Sequence, residues 1–258
     1  EPEARDSAAA MAAAAVWTHD RDPRGINAFI ASDHHIPDHQ GFRAAVNKAV
    51  DGAREARIVT LGVTPNAPSS AYGYIAPTGR GLSPIAAFVE KPDQATALQY
   101  IRDGYLWNSG NFIVSADVLL SELVTHAPDV ERAVRGAVRS AGRGEVALLG
   151  DAFRQAPKVS IDYALMEKTD LASVLEVDFD WSDLGAWDAI AASGQGEAGE
   201  HILEDVEGCL TRAADGMLIA AVGVRNLAII AEPDAVLVCD LSRSQDVKTV
   251  VERIRLSS

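Results

Sequence analysis

The sequence predicts an α/β fold, a sheet flanked by helices, with a small β-rich module at the C-terminal end. Three observations carry that prediction. Strand and helix signals alternate over the first two-thirds of the chain, the pattern of βαβ units and a mostly parallel sheet. Residues 57–63 (RIVTLGV) form a continuous apolar run, as a strand covered on both faces requires. After about Ser193 the texture changes to short β-like runs separated by turn dipeptides.

The elements follow in order. Residues 11–16 (MAAAAV) look like a signal segment, but the run is far below the ~20 apolar residues of a spanning helix. No basic stretch precedes it and no cleavage motif follows. It reads as an Ala-rich helix, capped by Asp6 or Ser7 and packed closely on a neighbour. Residues 27–31 form a short strand ending at Ser32-Asp33-His34-His35. A helix over 41–53 puts Phe42, Val46, Ala49 and Ala53 on one face. Residues 72–76 and 85–89 are strands joined by the turn Thr78-Gly79-Arg80-Gly81. Asp93 caps a helix that stops at Gly104. A strand over 111–114 leads to a helix capped by Ser115, and 129–141 is a further amphipathic helix. Ser160 caps 161–168, and 172–177 is a strand. A domain boundary is expected at 195/196, within a Gly- and Glu-rich linker. Beyond it, strands are expected at 201–206, 209–212, 217–222, 227–231 and 235–239. A terminal helix over 246–254 would turn Val247, Val250, Val251 and Ile254 inward.

Composition narrows the function. The 258 residues are 48% hydrophobic and 23% charged, the make-up of a folded chain. Lys plus Arg number 23 and Asp plus Glu 37, a net charge of −14. That balance excludes a general binder of nucleic acid or anionic membrane. An anionic substrate must be met by a local cation or a metal ion. The two cysteines, Cys209 and Cys239, have no metal-ligand spacing and make no disulfide framework, which fits a reducing, cytoplasmic compartment.

Four segments could carry chemistry. Phe88-Val89-Glu90-Lys91-Pro92 delivers an acid and a base at a strand end, where the break at Pro92 lets both side chains reach one pocket; a surface ion pair fits the same residues. Trp107-Asn108-Ser109-Gly110, at a strand entrance, offers stacking and neutral hydrogen bonds to a sugar, or is a turn with a packed Trp. Trp181-Ser182-Asp183-Leu184-Gly185 places an acid in a loop, where Asp33 could join it in holding Mg²⁺; either Asp could instead cap a helix. Tyr72-Gly73-Tyr74 permits close backbone approach to a ligand, or is a bulge. The stretch His34-His35-Ile36-Pro37-Asp38-His39 matches no structural zinc spacing.

Taken in order, EPEARDSAAAMAAAA, ASDHHI, GYGYI, FVEKP, YLWNSGNF, SIDYALMEKT and WSDLGAW resemble the mannose-1-phosphate guanylyltransferases, within the sugar-1-phosphate nucleotidyltransferases. The likeness runs from Glu1 to about Ile190, and SQDVKTVVERI resembles that family's short tail. It implies a Rossmann-like sheet and transfer of a guanylyl group from GTP to mannose 1-phosphate. It implies Mg²⁺ on Asp33 and Asp183, and Lys91 on the sugar phosphate. Tyr72, Gly73, Glu90 and Asn108 would contact the sugar, and Glu1, Arg5, Asp6 and Ser7 would lie near the guanine nucleoside. The partners are then GTP and mannose 1-phosphate, with no nucleic acid or membrane, and a homodimer is compatible with this reading.

The sequence also departs from the pattern. Arg5-Asp6-Ser7 stands where the family usually has Arg-Asn-Thr, which removes an amide donor and adds charge. Asn111 replaces the usual Met after WNSG. The family's opening Gly-rich loop, GGxGxRLxPLSR, does not occur, and Gly79-Arg80-Gly81-Leu82-Ser83-Pro84 only mimics part of it between two strands. The expectation is therefore of an N-terminally incomplete catalytic sheet, less stable than the complete enzyme or needing a partner to cover it. The alternatives are a nucleotidyltransferase for another sugar or base, or a non-catalytic protein that binds sugar phosphates or nucleotide sugars.

Overall fold

A computed structural model describes residues 1–142, 146–194 and 196–257, the side chain of Ser257 excepted. The chain divides into two compact units, 1–32 with 36–180, and 33–35 with 181–258. The boundary expected at Gln195 falls on a residue outside those described. Among the described residues no helix is long and apolar enough to cross a membrane.

The first unit holds a six-stranded sheet built from β1 (Ile26–Phe29), β2 (Ile58–Val63), β3 (Tyr74–Pro77), β4 (Leu82–Val89), β5 (Leu106–Ser115) and β6 (Ala172–Val177), in the order β1-β5-β2-β6-β4-β3, with β3 also meeting β5. The expectation of mostly parallel pairing is corrected here, because only β2 and β6 pair parallel. The βαβ logic still holds for direction. β1 and β2 both run antiparallel to β5, so they are parallel to each other, joined through helix α2 (His39–Arg54). β5 is inserted between them. β3 and β4 are joined by too short a turn to be anything but antiparallel.

The α-helices α1 (Asp6–His19), α3 (Gln94–Arg102), α4 (Ala116–His126) and α5 (Pro128–Arg139) also belong to this unit. The side chain of Asp93 caps α3 through the Thr96 amide at 2.8 Å, and Asp38 caps α2 through Gln40 and Gly41. The expected cap of α1 is not formed. Its N-cap position is Arg5, whose side chain makes no capping bond, and Asp6 has a φ of +66°. Ser7 is used at long range instead, its Oγ accepting the Ile161 amide at 2.8 Å. Nor does Ser115 cap α4 with its side chain. Ala8, Ala9, Ala12 and Ala15 are fully buried in the core cluster that α1 shares with α4 and α5. Methyl side chains let the helices approach closely there.

The second unit contains α6 (Trp187–Ala192), β7 (Glu200–Glu204), β8 (Leu210–Ala213), β9 (Leu218–Val222), β10 (Leu227–Glu232), β11 (Ala235–Asp240) and α7 (Val247–Ser257). β7 pairs parallel with β9 and β8 parallel with β10, while β11 closes antiparallel on β10. Leu210, Ala228, Ile230 and Leu241 form one core cluster there, and Ala213, Ile219 and Ala231 another. The inward face expected of the last helix is not buried: Val250, Val251 and Ile254 are 50%, 39% and 60% exposed. The helical period is present, but these side chains stay largely exposed to solvent.

Substituting Ala12→Leu should overpack the buried α1 contact and cost about 1–3 kcal/mol. Urea denaturation would read this as a lower midpoint at unchanged slope. An unchanged midpoint would show slack around α1.

Candidate active site

The first cluster forms where β4 ends. Beyond Val89 the chain leaves the sheet, and Lys91, just before Pro92, adopts a φ of +48°. This left-handed backbone breaks strand alternation. It brings Lys91 Nζ to 2.6 Å from Glu90 Oε1. The Glu90 side chain is 7% exposed and that of Lys91 55%, so a buried carboxylate sits beside an accessible cation. Burial opposes the Lys91 charge, but the hydrogen bond and charge of Glu90, with Asp162, leave its pKa raised. The Glu90 amide donates to Glu167 Oε1 at 3.2 Å. A Cβ on Gly73 would come within 2.6 Å of Glu90 Oε2, so glycine there makes room for the carboxylate.

β5 supplies the amide. Trp107-Asn108-Ser109-Gly110 lies inside this strand rather than at a strand entrance, because β5 begins at Leu106. Opposite it the β2 register shifts between Thr60 and Gly62, and Gly110 has a φ of +72°. The polar run is tolerated because it is satisfied internally. Asn108 Oδ1 lies 2.7 Å from the Thr60 hydroxyl and 3.2 Å from the Gly110 amide. Asn108 Nδ2 donates to Asp162 Oδ1 at 3.0 Å, and its backbone amide donates to Gly73 O at 2.8 Å. Asn111 is buried as well, its Oδ1 accepting the Ala31 amide at 3.3 Å. Trp107 is no stacking platform. It is buried, with its ring edge-on to Tyr72 at 4.8 Å between centroids.

Asp162 and Glu167 received no role from the sequence, although both lie in the SIDYALMEKT segment. Asp162 opens a π-helical turn, Asp162–Met166. Burial, then the neighbouring Glu90 charge, raises its pKa to about 6, against the opposing pull of Lys91 and Ser160.

The second cluster lies in the other unit. His35 and Ser182 form an antiparallel bridge, with N–H···O distances of 2.8 and 3.1 Å. Trp181 Nε1 donates to His34 Nδ1 at 3.1 Å. Burial lowers the His34 pKa, while the carboxylates of Asp33 and Asp183 both act to raise it, so both acids are near this ring. Asp183 Oδ1 accepts the Gly185 amide at 3.0 Å, and a Cβ on Gly185 would come within 2.7 Å of Asp183 Oδ2. Among the described residues no group of three or more His, Cys, Asp or Glu side chains converges. Asp33, two residues before one end of the bridge, and Asp183, next to the other, nevertheless make a donor set that fits Mg²⁺, which takes few protein oxygens and keeps its waters.

The N-terminal residues form a third group. Arg5 pairs with Glu3 at 3.2 Å, and Arg154 reaches Glu3 at 3.4 Å. Asp6 Oδ1 accepts the Ser7 amide at 2.7 Å, and Glu1 is exposed. Thus Gly73, Glu90, Lys91 and Asn108 come together with Thr60 and Asp162, while Tyr72 packs on Trp107. Asp33 and Asp183 come together around His34. Glu1, Arg5, Asp6 and Ser7 flank the start of α1.

The family model for the nucleotidyl transferases matches residues 1–198. The chain belongs to that family. Residues 199–254 match the mannose-phosphate isomerase/GMP-like β-helix domain, in keeping with the parallel pairs β7/β9 and β8/β10. The chain is 41% identical to a mannose-1-phosphate guanylyltransferase of Escherichia coli, over 99% of this chain and 57% of that protein. It is 39% identical to the xanthan biosynthesis protein XanB of Xanthomonas campestris, over 99% of this chain and 56% of that protein. It therefore spans little more than half the length of the curated relatives it matches. A solved structure titled mannose-1-phosphate geranyltransferase, from Thermus thermophilus, superposes with a TM-score of 0.87 at 30% identity, covering 99% of this chain and 77% of that one.

The raised Asp162 pKa has a consequence for stability. The folded state holds this proton more tightly than the unfolded chain, so ionisation costs stability above about pH 6 that is regained as pH falls toward the ordinary carboxylate value. The cost is on the order of 3 kcal/mol at neutral pH, with about half regained by pH 5. On going from pH 7.5 to 5 the melting temperature of the parent should therefore rise relative to that of Asp162→Asn. Parallel curves would contradict a buried, ionising Asp162.

Proposed function

We propose that this chain carries the catalytic residues of a mannose-1-phosphate guanylyltransferase, which joins GTP and mannose 1-phosphate to give GDP-mannose and pyrophosphate. The observation that carries this reading is the Lys91–Glu90 pair beside the fixed Asn108 amide. An accessible cation next to hydrogen-bonding groups suits a sugar bearing a phosphate. The relatives' names give the sugar and the nucleotide.

A sugar phosphate oxygen attacks the α-phosphorus of GTP in line, and the bond from that phosphorus to the pyrophosphate oxygen breaks. The attacking oxygen is ionised at neutral pH, so no side chain need remove a proton. Catalysis rests on positioning and charge stabilisation. Lys91 Nζ holds the sugar phosphate and offsets repulsion between two anionic substrates, within a chain of net charge −14. Tyr72, Gly73, Glu90 and Asn108 orient the sugar. Asp33 and Asp183 are the residues that would hold Mg²⁺, which when bound neutralises the α-phosphate and the leaving pyrophosphate. Arg5, Asp6, Ser7 and Glu1 take the nucleoside side. The two free thiols suit the cytoplasm.

Lys91→Ala should raise the KM for mannose 1-phosphate at least tenfold, about 1.4 kcal/mol of lost binding. The assay is pyrophosphate release by the longest natural form of the protein containing these residues. An unchanged KM removes Lys91 from this role. Asp183→Asn should cut kcat with at most partial rescue by Mn²⁺, and full activity would rule out its metal role.

A further inference from the structure

We propose that Asp162 is a positioning residue for the sugar, whose ionised carboxylate fixes the Asn108 amide so that the site offers a hydrogen-bond donor at this point and no acceptor. The inference rests on the sugar-phosphate reading of the Lys91 cluster and deepens it.

An amide oxygen has two lone pairs and an amide nitrogen two protons. Asn108 Oδ1 faces the Gly110 N–H, which can only donate, at 3.2 Å. The Thr60 hydroxyl lies 2.7 Å away, closer than its 3.1 Å approach to Asn111 O, and fills the second lone pair. Asn108 Nδ2 faces Asp162 Oδ1, an acceptor when ionised, at 3.0 Å. The orientation of the amide is thus set by chemistry on both sides. One Nδ2–H remains. Beside it Glu90 presents a carboxylate whose Oε1 is held by Lys91. A donor next to an acceptor is the pattern that reads neighbouring hydroxyls on a sugar ring.

The fixing depends on the charge state of Asp162. Once protonated, its hydroxyl can itself donate, and the orientation of the amide then rests on the Gly110 N–H and the Thr60 hydroxyl alone. The charged groups facing Asp162 are Glu90, which opposes its ionisation, and Lys91, which favours it. From the turn itself Ser160 favours ionisation. β5 contributes the neutral Asn108, and on the packed helix α4 Glu122 is engaged with Thr169 and His126 rather than Asp162. The Asp162 pKa of about 6 puts the switch within an accessible range.

Calorimetric titration of the protein with mannose 1-phosphate, at pH 7.5 and pH 5, tests this. Binding to the parent at pH 7.5 comes first, and its absence overturns the sugar-phosphate reading itself. Given binding, the parent should weaken on acidification severalfold more than Asp162→Asn does, with about tenfold as the upper bound. The ligand's own phosphate titrates equally against both proteins and cancels. Asp162→Glu should restore part of the pH step. Equal pH dependence in parent and Asp162→Asn overturns the proposal. Thr60→Val provides a second arm if Asp162→Asn does not fold. It removes the hydroxyl from Oδ1 and should weaken binding at pH 7.5 about fivefold, while unchanged affinity in the folded variant overturns the proposal.

Discussion

One strand, β5, holds the first unit together. It runs antiparallel to β1, β2 and β3, so it must carry main-chain hydrogen bonds on both edges over most of its length. A run of buried amides inside such a strand is costly unless each finds partners. Asn108 and Asn111 do so through Thr60, Gly110, Asp162, Ser109 and Ala31. The demand for satisfaction in the sheet therefore fixes, in advance of any ligand, the amide that faces the Lys91 cluster.

Electrostatics sharpen the same point. A chain with an excess of acidic residues repels phosphates at long range. A cation held close to the binding groups restores attraction locally. The positive φ of Lys91 serves this, because ordinary strand geometry would send Glu90 and Lys91 to opposite faces. The strain of one residue in the left-handed region is the cost of having both groups on one side. Gly73 matters for a related reason, since any larger residue would occupy the space of the Glu90 carboxylate.

Local signals were legible in the sequence. Asp93 and Gly104 bracket α3, and the strand expected over 172–177 is β6 to the residue. Glu90 and Lys91 meet after Val89, as the proline break implied. What escaped was settled at long range. The polar residues of WNSG read as a strand entrance or a turn, because the partner that makes them acceptable inside a strand, Thr60, lies 48 positions away. Ser7 read as a cap, but a bond to Ile161 claims its hydroxyl. Pairing direction was hidden because β5, late in sequence, inserts between two strands that a helix connects. The apolar stripe of α7 was visible, but no periodicity tells whether another element covers it. Asp162 was quoted within a motif without a role, since its significance comes from burial beside Glu90 and its bond to Asn108.

The central claim is that the Lys91 cluster receives a sugar 1-phosphate. A crystal structure with bound mannose 1-phosphate tests it most directly. The account predicts the phosphate within hydrogen-bond distance of Lys91 Nζ, with ring hydroxyls on Glu90 and on Asn108 Nδ2. A ligand seated elsewhere, or one whose phosphate avoids Lys91, would contradict it.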